Sequence, residues 1–264
     1  MLLWSWVQSH RWWCVAFFAL LMLSSAGGTC WAVFFRTVAT PVSLREALSQ
    51  YRRHQGTGSS QRGGVLSPGV FSYATSGGES LSLPGVSRSF PARSNMVVNG
   101  AAGSCGAVDW VPIVQHSETT TVCPSMDHSL AISNLVTFEQ ISGSTTTTVI
   151  DCPPTAYLVP PIAAPGVRWT ATCHQLKPAQ DVAMNGQVVG AIPIEVSGRS
   201  INTVHVRMTL VFNGIDQGPS TTDFWISTTR GVVVHEQELA TVTQSGVHYK
   251  EEMSTLLTSL TPAG

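Results

Sequence analysis

Apolar and polar residues alternate along much of the chain beyond residue 66, with the period of two that is typical of β-strands. The clearest run covers residues 202–212. Its even-numbered positions are apolar: Val204, Val206, Met208, Leu210 and Phe212. Its odd-numbered positions from 203 to 209 are polar, as expected for an antiparallel strand with one buried face. Turns then separate three further runs, at 221–227, 232–241 and 247–260, which predicts a four-stranded meander.

Short runs of strand-forming residues, interrupted by glycine, proline or asparagine, predict six earlier strands. They cover residues 70–76, 89–98, 107–115, 144–150, 167–174 and 187–194. Residues 67–264 are therefore predicted to form a mainly β domain. We expect an antiparallel, curved, half-barrel-like sheet that wraps around either a helix or a ligand.

Residues 41–55 are predicted to form a short amphipathic helix. Ser43 and Glu46 have the S-x-x-E spacing of a capping box, in which each side chain accepts a hydrogen bond from the other residue's backbone N–H. Apolar side chains follow at helical spacing: Leu44, Ala47, Leu48 and Tyr51. This stripe predicts a helix that docks on the β domain or lies at the membrane surface, and binding of a protein partner is the alternative. Residues 56–66, rich in glycine and serine, are predicted to be a flexible linker.

A long apolar run at residues 12–35 follows a short flank at residues 1–11. The run carries no charge and exceeds the about 20 apolar residues that a helix needs to cross a bilayer. Tryptophans lie near both of its ends, as in the aromatic belts at the two membrane interfaces. We therefore predict a single-pass transmembrane anchor at residues 12–35, which attaches the protein to the membrane.

The alternative for this run is a signal peptide that is cleaved after Ala26, which would release a secreted protein. Against cleavage, residues 30–35 are again apolar, and a mature chain would expose them to water at its start.

The charge pattern favours a cytoplasmic position for the C-terminal domain, because more arginines follow the run than precede it. We nevertheless favour an extracytoplasmic C-terminal domain, because long domains translocate largely regardless of charge and because the cysteines fit an oxidising compartment.

Four cysteines lie in the predicted β domain: Cys105, Cys123, Cys152 and Cys173. Such a set indicates two disulfides, and spacing alone allows three pairings. We favour the sequential pairing, Cys105 with Cys123 and Cys152 with Cys173, because each bond then closes a loop of the size of a β-hairpin. A zinc site is the alternative, with His116, His128 and His174 nearby in sequence. The close C-x₂₋₄-C pairs that zinc sites use do not occur.

Charged residues make up 11% of the chain and the formal net charge is -1, so no basic surface for nucleic acid is predicted. The spacings G-x-S-x-G, H-E-x-x-H and G-x-x-x-x-G-K-[ST], which mark hydrolase nucleophiles, zinc proteases and phosphate-binding loops, do not occur either. We therefore predict no catalytic residue, no metal and no cofactor. A secreted hydrolase is only the third interpretation.

Polar residues of the predicted meander have more than one interpretation. His205 and Arg207 share the polar face of their strand, which indicates a solvent-facing surface rather than a binding site. Glu251 interrupts the more apolar face of the last strand. Either a β-bulge turns it outward, or it is a partly buried carboxylate paired with a residue such as Arg207.

The C-terminal part of the chain also resembles a known sequence pattern. Asp223-Phe224-Trp225-Ile226, the turn Thr228-Thr229-Arg230-Gly231 and the two strands after it are similar to D-x-W-[IV]-x-x-x-T-G-L. That pattern occurs in uncharacterised membrane-anchored secreted proteins of actinobacteria. More remotely, the segment resembles the half-barrels of periplasmic lipoprotein carriers and mycobacterial lipoproteins, although the proline of their turn is missing here. The second resemblance implies a curved sheet whose concave face binds an acyl chain or a similar apolar ligand, without catalytic residues.

Together, these observations predict a non-catalytic protein of the cell envelope that binds or carries a lipid or other apolar ligand. Five residues are expected near the concave or core face: Met208, Leu210, Phe212, Phe224 and Trp225. The alternative is an envelope structural or protein-interaction module without a small ligand, which would use the helix at residues 43–51 to bind an envelope protein.

Overall fold

The computed structural model describes residues 39–55, 66–83, 86–100, 105–125, 127, 129–141, 144–244 and 246–263. The predicted anchor at 12–35, its flank at 1–11 and nearly all of the predicted linker lie outside these residues. Among the described residues, no helix is long and apolar enough to cross a bilayer. The described part of the chain is mainly β, with one short helix and fourteen strands.

The elements follow one another in a simple order. Helix α1 spans Leu44–Gln55. The strands after it are β1 (Gly69–Leu81), β2 (Ser87–Ser89), β3 (Arg93–Gly100), β4 (Gly106–Ile113), β5 (His116–Pro124), β6 (Leu130–Ile141), β7 (Ser144–Asp151), β8 (Tyr157–Val159), β9 (Arg168–Leu176), β10 (Ala179–Val196), β11 (Arg199–Asn213), β12 (Asp216–Ser227), β13 (Val233–Gln244) and β14 (Val247–Leu257).

The sheet closes into an antiparallel barrel of twelve strands, so the predicted open half-barrel is wrong. Closure occurs because β14 pairs with β1, in a continuous register from Tyr73↔Leu257 to Leu81↔Tyr249. The pairing removes the two unpaired edges that an open sheet would expose. Gly77 permits the close approach: its φ is 111°, and a Cβ there would lie 1.9 Å from the Glu252 carbonyl oxygen. Strands β2 and β8 lie outside the ring and pair with β1 and β6.

The meander predicted from the alternation is present as β11 to β14, each paired with the next. Strands β5, β6 and β8 were not predicted from the sequence, and only the second half of β10 was predicted. The physical reason at β5 and β6 is that their inward side chains include Glu118, Thr120 and Glu139, which line a polar part of the barrel interior. Polar residues therefore occur on both faces of these strands, and no apolar stripe marks them.

Helix α1 docks on the outside of the barrel. Ala47 is buried and, with Leu48 and Tyr51, packs against Val70 of β1 and Val97 of β3. These two valines alternate with Phe71 and Met96, which are buried in a separate apolar cluster. The stripe is therefore used for docking, although Leu44 at its start remains 40% exposed.

The predicted capping box starts this helix. Glu46 Oε2 accepts hydrogen bonds from the Ser43 backbone N–H at 2.7 Å and from Ser43 Oγ at 2.8 Å. Ser43 Oγ in turn accepts one from the Glu46 backbone N–H at 3.3 Å. Both donors would otherwise lack partners at the first turn of the helix.

Candidate functional site

A cavity lies inside the barrel, between two opposite arcs of its wall. Strands β5 to β7 supply one arc and β11 to β14 the other. The space between atoms is about 1070 Å³ when the open mouth is included. Because part of that space belongs to the mouth, the enclosed portion is smaller.

One part of the cavity, which we call the apolar end, is lined by aliphatic and aromatic side chains: Leu135, Ile150, Met208, Leu210, Phe212 and Phe224. Four of these residues were expected at the concave face from the sequence. They share the inward face of β11 and β12 because Met208, Leu210 and Phe212 occupy alternate positions, and because Phe224 pairs with Val206 of the same face.

Trp225 is the exception among the five predicted residues. Successive side chains of a strand point to opposite faces, so Trp225 points away from the cavity that Phe224 lines. It stacks on His205, with ring centroids 4.1 Å apart, and lies 4.5 Å from the His235 ring. The structure therefore assigns Trp225 to the outer face.

His205 and Arg207 lie on the same outer face. Asp223 Oδ1 is 2.6 Å from His205 Nε2 and accepts a hydrogen bond from Arg207 Nε at 3.0 Å, and its second oxygen accepts one from Arg207 Nη2 at 3.1 Å. Arg207 is therefore the partner of Asp223 across the β11–β12 pair and not of Glu251.

The other part of the cavity region is rich in carboxyl groups. We call Glu79, Glu118, Glu139, Glu236, Glu238 and Glu251 the acidic cluster; five of them line the cavity and Glu79 lies behind them. Glu251 is 2% exposed, and its pairing with β1 and β13 continues through it without a register shift. No bulge turns Glu251 outward, so its position on the apolar side of the pattern places it inside the barrel.

His116 is the centre of a hydrogen-bond network within this cluster. Its ring is fully buried, with Nδ1 3.2 Å from Glu79 Oε2 and Nε2 3.3 Å from Glu118 Oε1. Nε2 also lies 3.6 Å from Glu251 Oε1. Arg88 lies on the far side of Glu79, where its Nε donates to Glu79 Oε1 and its Nη2 donates to the Gln115 carbonyl oxygen.

Tyr249 connects two carboxyl groups of the cluster. Its hydroxyl oxygen lies 2.9 Å from Glu79 Oε2 and 2.6 Å from Glu251 Oε2. Because a hydroxyl has one hydrogen, Tyr249 donates to only one of the two carboxyl groups at a time. Burial raises the pKa of Glu251 well above its ordinary value, although the hydrogen bond from the Tyr249 hydroxyl acts in the opposite direction.

Burial and neighbouring charges shift the pKa values of the other carboxyl groups and of His116. It raises the pKa of Glu236 well above its ordinary value, and burial with the nearby Glu118 charge raises the pKa of Glu238 to about 8. Burial opposes ionisation of Glu79 too, but hydrogen bonds and attraction from His116 and Arg88 hold its pKa below the ordinary value. Burial would lower the pKa of His116, yet the surrounding glutamates raise it well above its ordinary value.

The acidic cluster thus has six carboxyl groups against one guanidinium and one imidazole among the described residues around it. Unpaired buried charges are costly, so the cluster either holds protons or binds a positively charged group. One signal of this arrangement is visible in the sequence, namely the interruption of an apolar face by Glu251. A second signal was missed: Glu236 and Glu238 share one face of their strand with Ala240 and Val242.

The cysteines form two disulfides with the favoured pairing. Cys105–Cys123 connects the start of β4 to β5, and Cys152–Cys173 connects the residue after β7 to β9. A zinc site through these cysteines is therefore wrong, because their thiols are consumed. Of the histidines considered for it, His116 contacts the acidic cluster, His174 lies on the surface 3.2 Å from Asp181, and His128 lies outside the described residues.

No protein-family model and no curated protein matches the chain. Among solved structures, the hypothetical lipoprotein YmcC from Escherichia coli K12 is similar at a TM-score of 0.34 and 10% identity, over 85% of this chain and 100% of that chain. At this score and identity we infer neither fold nor function from the likeness.

Proposed function

We propose that this protein is a non-catalytic binding protein of the cell envelope that holds an apolar or lipid-like ligand inside its barrel. The observation that carries the proposal is the interior cavity with an apolar end and an acidic cluster. Pockets that combine apolar walls with a few convergent polar groups are typical ligand sites.

The acidic cluster narrows the chemistry of the ligand. A carboxylate head group would meet the carboxyl oxygens of Glu118 and Glu139, which is unfavourable in a partly dry interior. An amine or a hydroxyl would instead donate hydrogen bonds to the carboxyl oxygens. We therefore infer a ligand with an apolar body and a cationic or hydrogen-bond-donating head.

The location belongs to the same proposal. Two disulfides are typical of proteins in oxidising compartments, which supports an extracytoplasmic barrel. The apolar run at 12–35 would anchor the barrel to the membrane, or be removed if the chain is cleaved after Ala26. The sequence resemblance to membrane-anchored secreted proteins of actinobacteria supports the anchored form.

The alternative of a protein-interaction module receives less support. It would use the apolar stripe of α1, but Ala47, Leu48 and Tyr51 of that stripe pack against the barrel.

The proposal is tested with the neutral apolar fluorophore N-phenyl-1-naphthylamine on the full chain. Wild type is expected to bind the probe saturably, and dodecylamine is expected to displace it at lower concentration than dodecanoate. Ala240→Phe fills the cavity from β13 and is expected to abolish the lumenal binding. Leu239→Phe is the matched control, because Leu239 is the neighbouring residue on the same strand and points outward, 49% exposed. Equal probe binding by both variants would contradict the proposal.

A further inference from the structure

The geometry around His116 points to a binding site for a divalent transition-metal ion. We propose that His116 Nε2 and carboxylate oxygens of Glu118, Glu139 and Glu251 bind a zinc-like ion at the acidic end of the barrel cavity. This site does not rest on the proposed apolar ligand, because none of its ligands belongs to the apolar end.

The first support is the separation of the ligand atoms. His116 Nε2 lies 3.3 Å from Glu118 Oε1 and 3.6 Å from Glu251 Oε1. Zinc bonds to imidazole nitrogen and carboxylate oxygen are about 2.0–2.2 Å long, so tetrahedral ligands lie about 3.3–3.6 Å from each other. The observed separations therefore match the distances between ligand atoms that are bound to one zinc ion. Glu139 offers a further oxygen, because one candidate ligand atom from each of Glu139, His116, Glu251 and Glu79 lies within 4.8 Å of the others.

The second, independent support is an unsatisfied oxygen. Glu251 Oε1 is buried and has no hydrogen-bond partner among the residues that the structure describes, while Oε2 of the same carboxyl group contacts Tyr249. Buried polar atoms are nearly always satisfied, and an exception calls for an explanation such as an ion. This oxygen is on the side of Glu251 that faces His116 Nε2.

Glu79 has a different role from the three ligand carboxylates. Its Oε1 is occupied by Arg88, and its Oε2 contacts both His116 Nδ1 and Tyr249. A histidine that binds a metal through one nitrogen commonly donates the N–H of the other to a carboxylate, which fixes the ring and its tautomer. Glu79 is therefore a positioning residue, and it leaves Nε2 directed at Glu118 and Glu251.

An ion can reach the site from the cavity. Glu118, Glu139 and Glu251 line it, and the Glu118 side chain is 22% exposed. The chemical choice follows from the ligand set, since imidazole suits zinc and other late transition metals, whereas magnesium and calcium prefer oxygen alone. We therefore expect zinc to bind more tightly than magnesium.

Isothermal titration of the chelator-treated full chain with zinc chloride tests the proposal. All proteins in the comparison carry His174→Ala, which removes the exposed His174–Asp181 pair as a surface chelate. The reference protein is expected to bind one zinc ion tightly and magnesium at least 10-fold more weakly. Glu251→Gln is expected to weaken zinc binding at least 10-fold, and the adjacent, exposed Glu252→Gln to leave it unchanged. Glu79→Gln is expected to weaken it by about 10–100-fold with the same stoichiometry.

Two further measurements keep the result interpretable. Circular dichroism establishes that each variant is folded, and Glu118→Gln, at a less buried carboxylate, replaces Glu251→Gln if the latter does not fold. Cobalt(II) is expected to give visible absorption bands that the Glu252→Gln protein keeps and the Glu251→Gln protein loses. Absence of saturable zinc binding, or equal binding by the Glu251→Gln and Glu252→Gln proteins, would overturn the proposal and leave the cluster as a hydrogen-bond network.

Discussion

Glu251 Oε1 lies 3.6 Å from His116 Nε2, although the strands that carry these residues, β14 and β5, are not neighbours in the closed sheet. The contact therefore crosses the barrel interior. Tyr249 reinforces the connection, because its hydroxyl contacts both Glu251 and Glu79. The acidic cluster is thus a product of barrel closure.

The first prediction concerns stability and pH in the metal-free protein. The pKa of Glu238 rises from 4.5 to about 8 on folding, so the folded protein binds an additional proton between these values. The free energy of unfolding then falls as pH rises through that window. The raised pKa values of Glu236 and His116 act in the same direction.

Urea unfolding at pH 5.5 and pH 8, with chelator present, measures this effect. We expect wild type to be less stable at pH 8, and Glu238→Gln to show a smaller difference between the two conditions. The exposed Glu195→Gln is the control and should follow wild type. A stability that rises with pH, or an unchanged difference in Glu238→Gln, would be inconsistent with the buried position of this carboxyl group.

The second prediction separates the two faces of β12. Phe224→Ala is expected to weaken binding of N-phenyl-1-naphthylamine, because Phe224 lines the cavity. Trp225→Ala is expected to leave the dissociation constant unchanged, because Trp225 stacks on histidines of the outer face. It should instead lower the free energy of unfolding, by roughly 1–3 kcal/mol for a partly buried aromatic side chain. Weakened probe binding by Trp225→Ala together with unchanged binding by Phe224→Ala would contradict the assignment of Trp225 to the outer face.

The third prediction concerns the Cys105–Cys123 disulfide. Its loop has a sequence separation of 18, and in the chain-entropy model such a bond contributes about 3 kcal/mol. Cys105→Ala combined with Cys123→Ala is therefore expected to shift the guanidinium unfolding midpoint downward. Wild type treated with reductant should show a similar or larger shift, since it loses both disulfides. An unshifted midpoint in the double variant would refute the stabilising role of this bond.

The fourth prediction concerns the start of α1. Ser43→Ala removes the hydroxyl of the capping box and is expected to lower the free energy of unfolding by about 1 kcal/mol. Arg45→Ala, at an exposed position of the same helical turn, should change it by less than about 0.5 kcal/mol. Denaturant unfolding of both variants provides the comparison, and equal effects would argue against the capping box.

The sequence predicted those strands whose inward face is apolar. Residues 202–212 were recognised because Val206, Met208 and Leu210 alternate with polar positions. Strand β5 was not recognised, because Glu118 and Thr120 face a polar cavity and the outward residues are polar as well. Barrel closure was also missed, since the pairing of β1 with β14 joins segments far apart in the chain and depends on Gly77.

The candidate site was predicted only in part for the same reason. Met208, Leu210 and Phe212 follow from the period of one strand, and local spacing is enough to find them. The association of His116 with Glu79 and Glu251 requires three strands to be placed around the barrel, and no local spacing encodes it. Glu251 was conspicuous as a carboxylate in an apolar pattern, but its partners were not predictable.

The most direct test of the central proposal is to measure the mass of any small molecule that remains bound to the purified protein. The full chain and its Ala240→Phe and Leu239→Phe variants would be purified from membranes of the producing cells under one mild protocol and measured by native mass spectrometry. We expect wild type and Leu239→Phe to carry the same bound small molecule, released on denaturation, and Ala240→Phe to carry none. Wild type at the mass of the bare chain, or the same bound mass in all three proteins, would contradict a ligand in the barrel.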